Sequence, residues 1–251
     1  MEKEGQKSYN NIKLRTFALA AMAALNLAWS GIFSSNWIKL ALGIFGSGSL
    51  TLFIFLLEEG YKKTSNLTKY MLRMLGLTLV SAVPYYLVYG NPERLLYSPQ
   101  NFFSSPLTLF LCLGSIALFD KLKTKQLQIM AVVFLCIVSF IFSFEWCPYA
   151  LILMFIIHIY DESPKYRDFY IIMFFSTLAI VSAVMYLLGI FKDVSDVILN
   201  VSLIGCVWPV PLIRKYDGKL GKRTKLLKLL SYSSYPLMLV TLFLIKFIMS
   251  K

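Results

Sequence analysis

Long apolar runs interrupted by short polar and charged stretches set the pattern of this chain. A hydrocarbon core of about 30 Å is crossed by about 20 apolar residues in helix, so a helix is expected wherever a run approaches that length. Cutting at charged and turn residues predicts about nine helices: Phe17–Ser34, Trp37–Leu57, Tyr70–Tyr89, Phe102–Phe119, Gln126–Phe142, Cys147–Tyr160, Phe169–Phe191, Val194–Ile213 and Leu226–Met249. The fifth and sixth are short. Between them, Glu145-Trp146-Cys147-Pro148 reads either as a tight hairpin or as the dip of one re-entrant element. The expected fold class is all-α: a polytopic membrane helical bundle, one domain over residues 1–251, with residues 1–15 as a cytoplasmic tail.

Composition supports lipid as the main solvent. The chain is 58% hydrophobic with a mean hydropathy of +0.68, above the roughly 45–50% apolar content of soluble domains. A net charge of +12 raises nucleic acid as a partner. The cations, however, gather between greasy segments instead of covering a folded surface, so membrane lipids are the expected partners and nucleic acid is not. Basic residues are retained on the cytoplasmic side. Alternating loops hold twenty Lys and Arg on one side and five on the other, which puts the N-terminus inside and the C-terminus outside. The basic start resembles a signal peptide, but no small-residue cleavage site or soluble remainder follows it. Cys112, Cys136, Cys147 and Cys206 sit in or beside apolar runs with no metal-ligand spacing. They read as small buried hydrophobes, and no metal is expected.

Polar groups inside a span cost several kcal/mol unless paired or wet, which makes them the first places to look for chemistry. Asn26 lies within the first span and reads as an interhelical hydrogen-bonding device. His158, the chain's one histidine, stands at the end of the sixth span beside the charged loop Asp161-Glu162-Ser163-Pro164-Lys165. A lone histidine there is ordinarily interfacial, although its chemistry suits proton transfer. Arg73, one turn into the third span, wants an anionic partner, and Glu58 or Glu59 is the nearest. A late cluster, Tyr216-Asp217-Gly218-Lys219-Leu220-Gly221-Lys222-Arg223, joins a turn signal to enough cations for an anionic headgroup or phosphate. Pro84-Tyr85-Tyr86 and Tyr232-Ser233-Ser234-Tyr235-Pro236 break two spans, and such breaks often line cavities. No internal repeat and no paired Gly/Pro breaks support a transporter.

The ordered series Glu59-Gly60-Tyr61 with Thr64, Tyr70 and Arg73, Pro84-Tyr85-Tyr86, Tyr216-Asp217-Gly218-Lys219 with Gly221, and Tyr235-Pro236-Leu237 resembles the TraX family of membrane proteins. The resemblance runs from the first span to the last. It implies a membrane-bound acyltransferase of the bacterial cytoplasmic membrane, with acyl-CoA or acetyl-CoA as donor. The acceptor it implies is a membrane protein, such as a pilin-like subunit of a conjugation system, or a lipid. On that reading Glu59, Asn26 and Tyr235 occupy catalytic positions. Arg73, Lys219, Lys222, Tyr61 and Asp217 become donor contacts, with the cations on the donor's phosphates.

Two positions depart from the family pattern. Where it carries Asp-His in the first span this chain has Leu25-Asn26, and its final "YPLH" reads Tyr235-Pro236-Leu237-Met238. Acyl transfer to an amine or hydroxyl needs a base, and neither Asn26 nor Met238 is one. Three routes stay open: His158, Glu59 or Glu145 serves as base; positioning of an already deprotonated amine suffices; or the fold survives as a non-catalytic accessory or immunity-type membrane partner.

Overall fold

The computed structural model of the protein describes residues 9–90, 104–141, 145–146, 148–190, 194–219 and 225–249. Its helices are α1 (Asn11–Trp29), α2 (Asn36–Lys63), α3 (Leu67–Tyr89), α4 (Ser105–Lys121), α5 (Lys125–Ile141), α6 (Tyr149–Ile159), α7 (Pro164–Leu187), α8 (Val194–Ser202), α9 (Val210–Arg214) and α10 (Lys225–Met249). Among the described residues there is no strand beyond one isolated bridge between Tyr9 and Tyr216.

Each expected hydrophobic segment contains helix, but the eighth is not continuous. A 3-10 turn, Leu203–Val207, separates α8 from α9. The causes are local. Pro209 and Pro211 offer no N–H to an α-helical ladder, and Gly205 presses its backbone on α2, where a Cβ would lie 1.7 Å from the Ile44 carbonyl oxygen. Five described stretches are long and apolar enough to cross a membrane: Asn11–Trp29, Asn36–Lys63, Leu67–Tyr89, Pro164–Leu187 and Val197–Arg214. At 11 residues α6 is about 16 Å long, half the hydrocarbon thickness.

The chain divides into two compact units. The first comprises Met1–Leu56 and Ser163–Ser231. Here α1 is rich in small residues, with Ala18, Ala21, Ala24 and Ala28 buried, and small side chains let helix backbones approach closely. Gly46 of α2 uses that space, since a Cβ there would fall 2.6 Å from Leu25. The Asn10 side chain caps α1 by accepting from the Lys13 N–H at 3.0 Å. Trp208 stacks on Phe45 at 5.3 Å and donates its indole N–H to the Phe45 carbonyl at 3.0 Å. The Thr51 hydroxyl donates to the Cys206 carbonyl at 2.8 Å, so the 3-10 turn is stitched to α2 by polar groups a regular helix would have used internally. Tyr9 and Asn11 pair their backbones with residues 215, 217 and 219, which fastens the start of α1 to the Asp217-Gly218-Lys219 loop.

The second unit comprises Leu57–Glu162 and Tyr232–Lys251. Helix α4 packs on α3, α5 and α6, burying Cys112, Leu113, Ile116, Leu153, Met154 and Ile157. Asn66 caps α3 through the Lys69 N–H at 2.9 Å. Gln128 of α5 donates its side-chain amide to the Phe119 and Leu122 carbonyls at 3.2 and 3.1 Å, closing the C-terminal end of α4. Gly60 lies against Tyr70: a Cβ at position 60 would come within 2.6 Å of the phenol oxygen. The contact joins the last turn of α2 to the first turn of α3.

Candidate functional site

The last turns of α2, α4 and α6 bring their polar residues together in the second unit. On α2, Glu58, Tyr61 and Lys62 stand at i, i+3 and i+4, the spacing that shares one helix face. Asp120 ends α4 and His158 ends α6. The imidazole bridges two carboxylates, with Nδ1 at 3.0 Å from Glu58 Oε1 and Nε2 at 2.9 Å from Asp120 Oδ1. The Tyr61 hydroxyl donates to the other Asp120 oxygen at 2.6 Å. Lys62 lies 3.6 Å from Glu58 Oε1 and pairs with Asp161. Phe119 and Tyr61 present their rings edge-on to the imidazole, with centroids 5.8 and 6.1 Å away.

Burial grades this cluster from inside to outside. The Glu58 side chain is 1% exposed, His158 15% and Asp120 42%. With a carboxylate on each ring nitrogen, the protonated ring donates from both. In the neutral tautomer with Nδ1–H on Glu58, Nε2 is free to accept on the exposed side. A buried acid that fixes the tautomer of a base in this way is the logic of catalytic triads. Glu58 Oε2 has no hydrogen-bond partner among the described residues.

His158 also lines a cavity of about 550 Å³ between α4, α5 and α6. Its walls are Phe119, Ile129, Val132, Val133, Phe155 and Ile159, and its polar groups are His158, Lys125 and Gln128. The volume is typical of small-molecule sites. A group able to move a proton thus lines a mostly apolar cavity.

The residues singled out from sequence fall into different places. Glu59 pairs with Lys63 at 2.5 Å and takes no bond in the cluster. Tyr61 belongs to the cluster through Asp120. Arg73 is exposed; its Nε donates to the Lys69 carbonyl at 3.1 Å and its guanidinium stands 5.9 Å from the Tyr70 ring centre. Neither expected ion pair, with Glu58 or with Glu59, forms, because Glu58 is taken by His158 and Lys62. Tyr235 is buried in α10 of the second unit. Asn26 belongs to the first unit and donates to the Met22 carbonyl at 2.8 Å, a bond one turn back in its own helix. Asp217 accepts from the Lys219 N–H at 2.9 Å around Gly218, whose φ of +70° favours glycine. Lys222 lies outside the described residues.

A family model described as TraX protein matches residues 10–246, nearly the whole chain. The chain belongs to the TraX family. No curated protein and no solved structure matches it. Within this TraX chain the Gly60–Tyr70 contact and the Gly218 turn give two of the family-like motifs a steric reason. The chain's one histidine lies on α6 and at neither Asn26 nor Met238. Sequence reading passed over Asp120 entirely, and the cue it offered was slight: an acid ending an apolar run beside a tyrosine-bearing α2.

Proposed function

We propose that this TraX-family protein is a multi-pass protein of the bacterial cytoplasmic membrane that moves an acyl group from cytosolic acyl-CoA to a membrane-associated acceptor. The observation that carries the reading is His158 held between Glu58 and Asp120 while lining a mostly apolar cavity. Nine spans, with the N-terminus inside, accord with the twenty-to-five division of basic residues, and the cluster then faces the cytosol, where the donor is found.

The chemistry assigns a task to each member. Neutral His158, its Nδ1–H held by Glu58, takes the proton of the acceptor's hydroxyl or amine at Nε2. The exposed Asp120 gives up Nε2 to the acceptor and, anchored by Tyr61, stabilises the imidazolium that results. The acyl carbon gains a bond to the acceptor oxygen or nitrogen and loses its bond to the thioester sulfur. His158 then returns the proton to the departing thiolate. Arg73 is a proposed contact for donor phosphate, and the basic loop carrying Lys219 and Lys222 is a separate candidate for that role. Glu59 and Tyr235 keep no proton-transfer role here.

The test is transfer of radiolabelled acetyl groups from acetyl-CoA to bacterial membrane extract by purified protein, wild type beside His158→Gln and Arg73→Ala. Loss of transfer in His158→Gln with donor binding retained supports the base. Full transfer by that variant overturns it. One rival, a non-catalytic membrane partner, is favoured by Asn26 and Met238, and it expects no transfer by the wild type.

A further inference from the structure

The cavity beside His158 has a shape and a charge pattern that specify more than proton transfer. Its walls come from three helices and are mostly aliphatic and aromatic, and Lys125, Gln128 and His158 are its polar lining. The α5 wall is also the outer face of that helix: Ile129, Val133 and Phe134 are 64, 52 and 63% exposed. In a membrane, such a face meets acyl chains, and the cavity is continuous with it. Among the polar lining residues Lys125 is exposed, with Lys121 ending α4 and Lys123 in the α4–α5 connection. Gln128 is already committed to the end of α4. The cationic group on the rim is therefore Lys125.

We infer that this cavity holds one acyl chain of an anionic phospholipid of the cytoplasmic leaflet, with its phosphate at Lys125 and its headgroup hydroxyl or amine at His158. The inference rests on the acyl-transfer reading and names its acceptor as a lipid. An apolar cavity whose α5 wall faces bilayer favours an acceptor that carries an acyl chain over a soluble one, because a hydrated group lying along those walls would lose its water without replacement. The rim cation selects phosphate, since basic residues at the cytoplasmic surface attract anionic lipids. A phospholipid is also the acceptor whose nucleophile lies a few bonds beyond its phosphate, which lets one molecule span Lys125 and His158.

The experiment is photolabelling of the full-length protein in nanodiscs, with phosphatidylglycerol or phosphatidylcholine bearing a diazirine in one chain. Labelled peptides are mapped, and acetyl transfer is measured on the same samples. Phosphatidylglycerol should label α5 and α6 peptides about fivefold more than phosphatidylcholine, and Lys125→Ala should remove that preference, the effect of one basic residue at a membrane surface. Ile129→Trp and Val133→Trp place bulk at exposed positions that folding does not depend on, and each should cut labelling at least fivefold. His158→Gln should keep the label while losing transfer. Equal labelling by the two lipids overturns the headgroup assignment, and labelling undiminished by both Trp variants overturns the cavity. Displacement of the label by long-chain acyl-CoA at lower concentration than by unlabelled phosphatidylglycerol gives the cavity to the donor chain and also overturns it. Selective labelling without transfer by the wild type sinks the acyl-transfer reading and leaves lipid binding standing. Transfer undiminished in the Trp variants despite lost labelling sinks the lipid acceptor alone.

Discussion

Two buried ionic clusters, one in each unit, are built with opposite arithmetic. In the first unit a single acid, Asp168, is 1% exposed and lies between two arginines: Arg167 at 3.1 Å, itself stacked 5.7 Å from the Phe55 ring, and Arg214. In the second unit a single base, His158, lies between two acids. Arginine does not lose its proton in proteins, so both groups flanking Asp168 stay charged, and the cluster fastens α7 to α9. Histidine does lose it, and the His158 cluster adjoins a chamber. Burial is similar in both; what differs is the sign of the charges around the central group and whether a cavity adjoins it. The first arrangement serves the fold and the second suits chemistry.

The sharpest way to break the comparison is to remove each central group and ask which property fails. His158→Gln keeps the ring's approximate bulk and a donor for Glu58 but cannot accept a proton at the exposed side. Transfer should fall by about 10²- to 10⁴-fold, the usual worth of a general base, with thermal unfolding in detergent little altered. Asp168→Ala should do the reverse. It leaves Arg167 buried without its acid, and removing one partner of a buried pair costs about 3–5 kcal/mol. The melting temperature should drop by many degrees, while transfer per folded molecule stays at the wild-type level. If Asp168→Ala abolished transfer in molecules that remain folded, the division of labour between the clusters would be wrong.

That division was only half legible in the sequence, and the reasons are physical. The apolar runs announced the helices because each run must bury or meet lipid over its whole length. They could not announce the break at Leu203–Val207, since Gly205 and Pro209 sit inside a stretch whose hydropathy never falls. Glu58 and Glu59 look equivalent on paper, but about 100° of helical rotation separates them. One is buried against His158, while the other pairs with Lys63. The apolar residues before them, Leu50, Leu52 and Ile54 to Leu57, are buried on several faces, so they give no phase from which to choose. Asp120 and His158 are 38 residues apart and Glu58 and His158 are 100 apart, so no local pattern joins them.

A smaller effect tests whether burial alone makes a carboxyl titrate. Glu145 lies in the connection between α5 and α6, outside the helices, and accepts from the Ser105 hydroxyl at 2.7 Å. Burial pushes its carboxyl up from 4.5 to about 7, and the Ser105 bond opposes that rise. A carboxyl that binds its proton more tightly when folded contributes stability that is full below about pH 4.5 and is lost as pH rises to about 7. At roughly 1.4 kcal/mol for each unit, the loss across that window is about 3 kcal/mol. Thermal melting followed from pH 4.5 to pH 8 should show the decline in wild type and a decline smaller by about that amount in Glu145→Gln. A flat wild-type profile would mean that the carboxyl stays solvated.

The smallest effect separates two tasks for Tyr61. As a donor contact, the role its place in the Glu-Gly-Tyr motif suggests, Tyr61 would act on affinity, and Tyr61→Phe would raise the KM for acyl-CoA at constant kcat. The structure gives its hydroxyl to Asp120 instead, at 2.6 Å. Asp120 is 42% exposed, so the bond is partly screened by water and is worth about 1 kcal/mol. Losing it frees Asp120 to turn from His158, which weakens support for the imidazolium formed during transfer. The expected outcome is a fall of about fivefold in kcat with the donor's KM unchanged. Because phenylalanine keeps the ring edge against His158 at 6.1 Å, any loss reports the hydroxyl alone, and a change confined to KM would return Tyr61 to the donor.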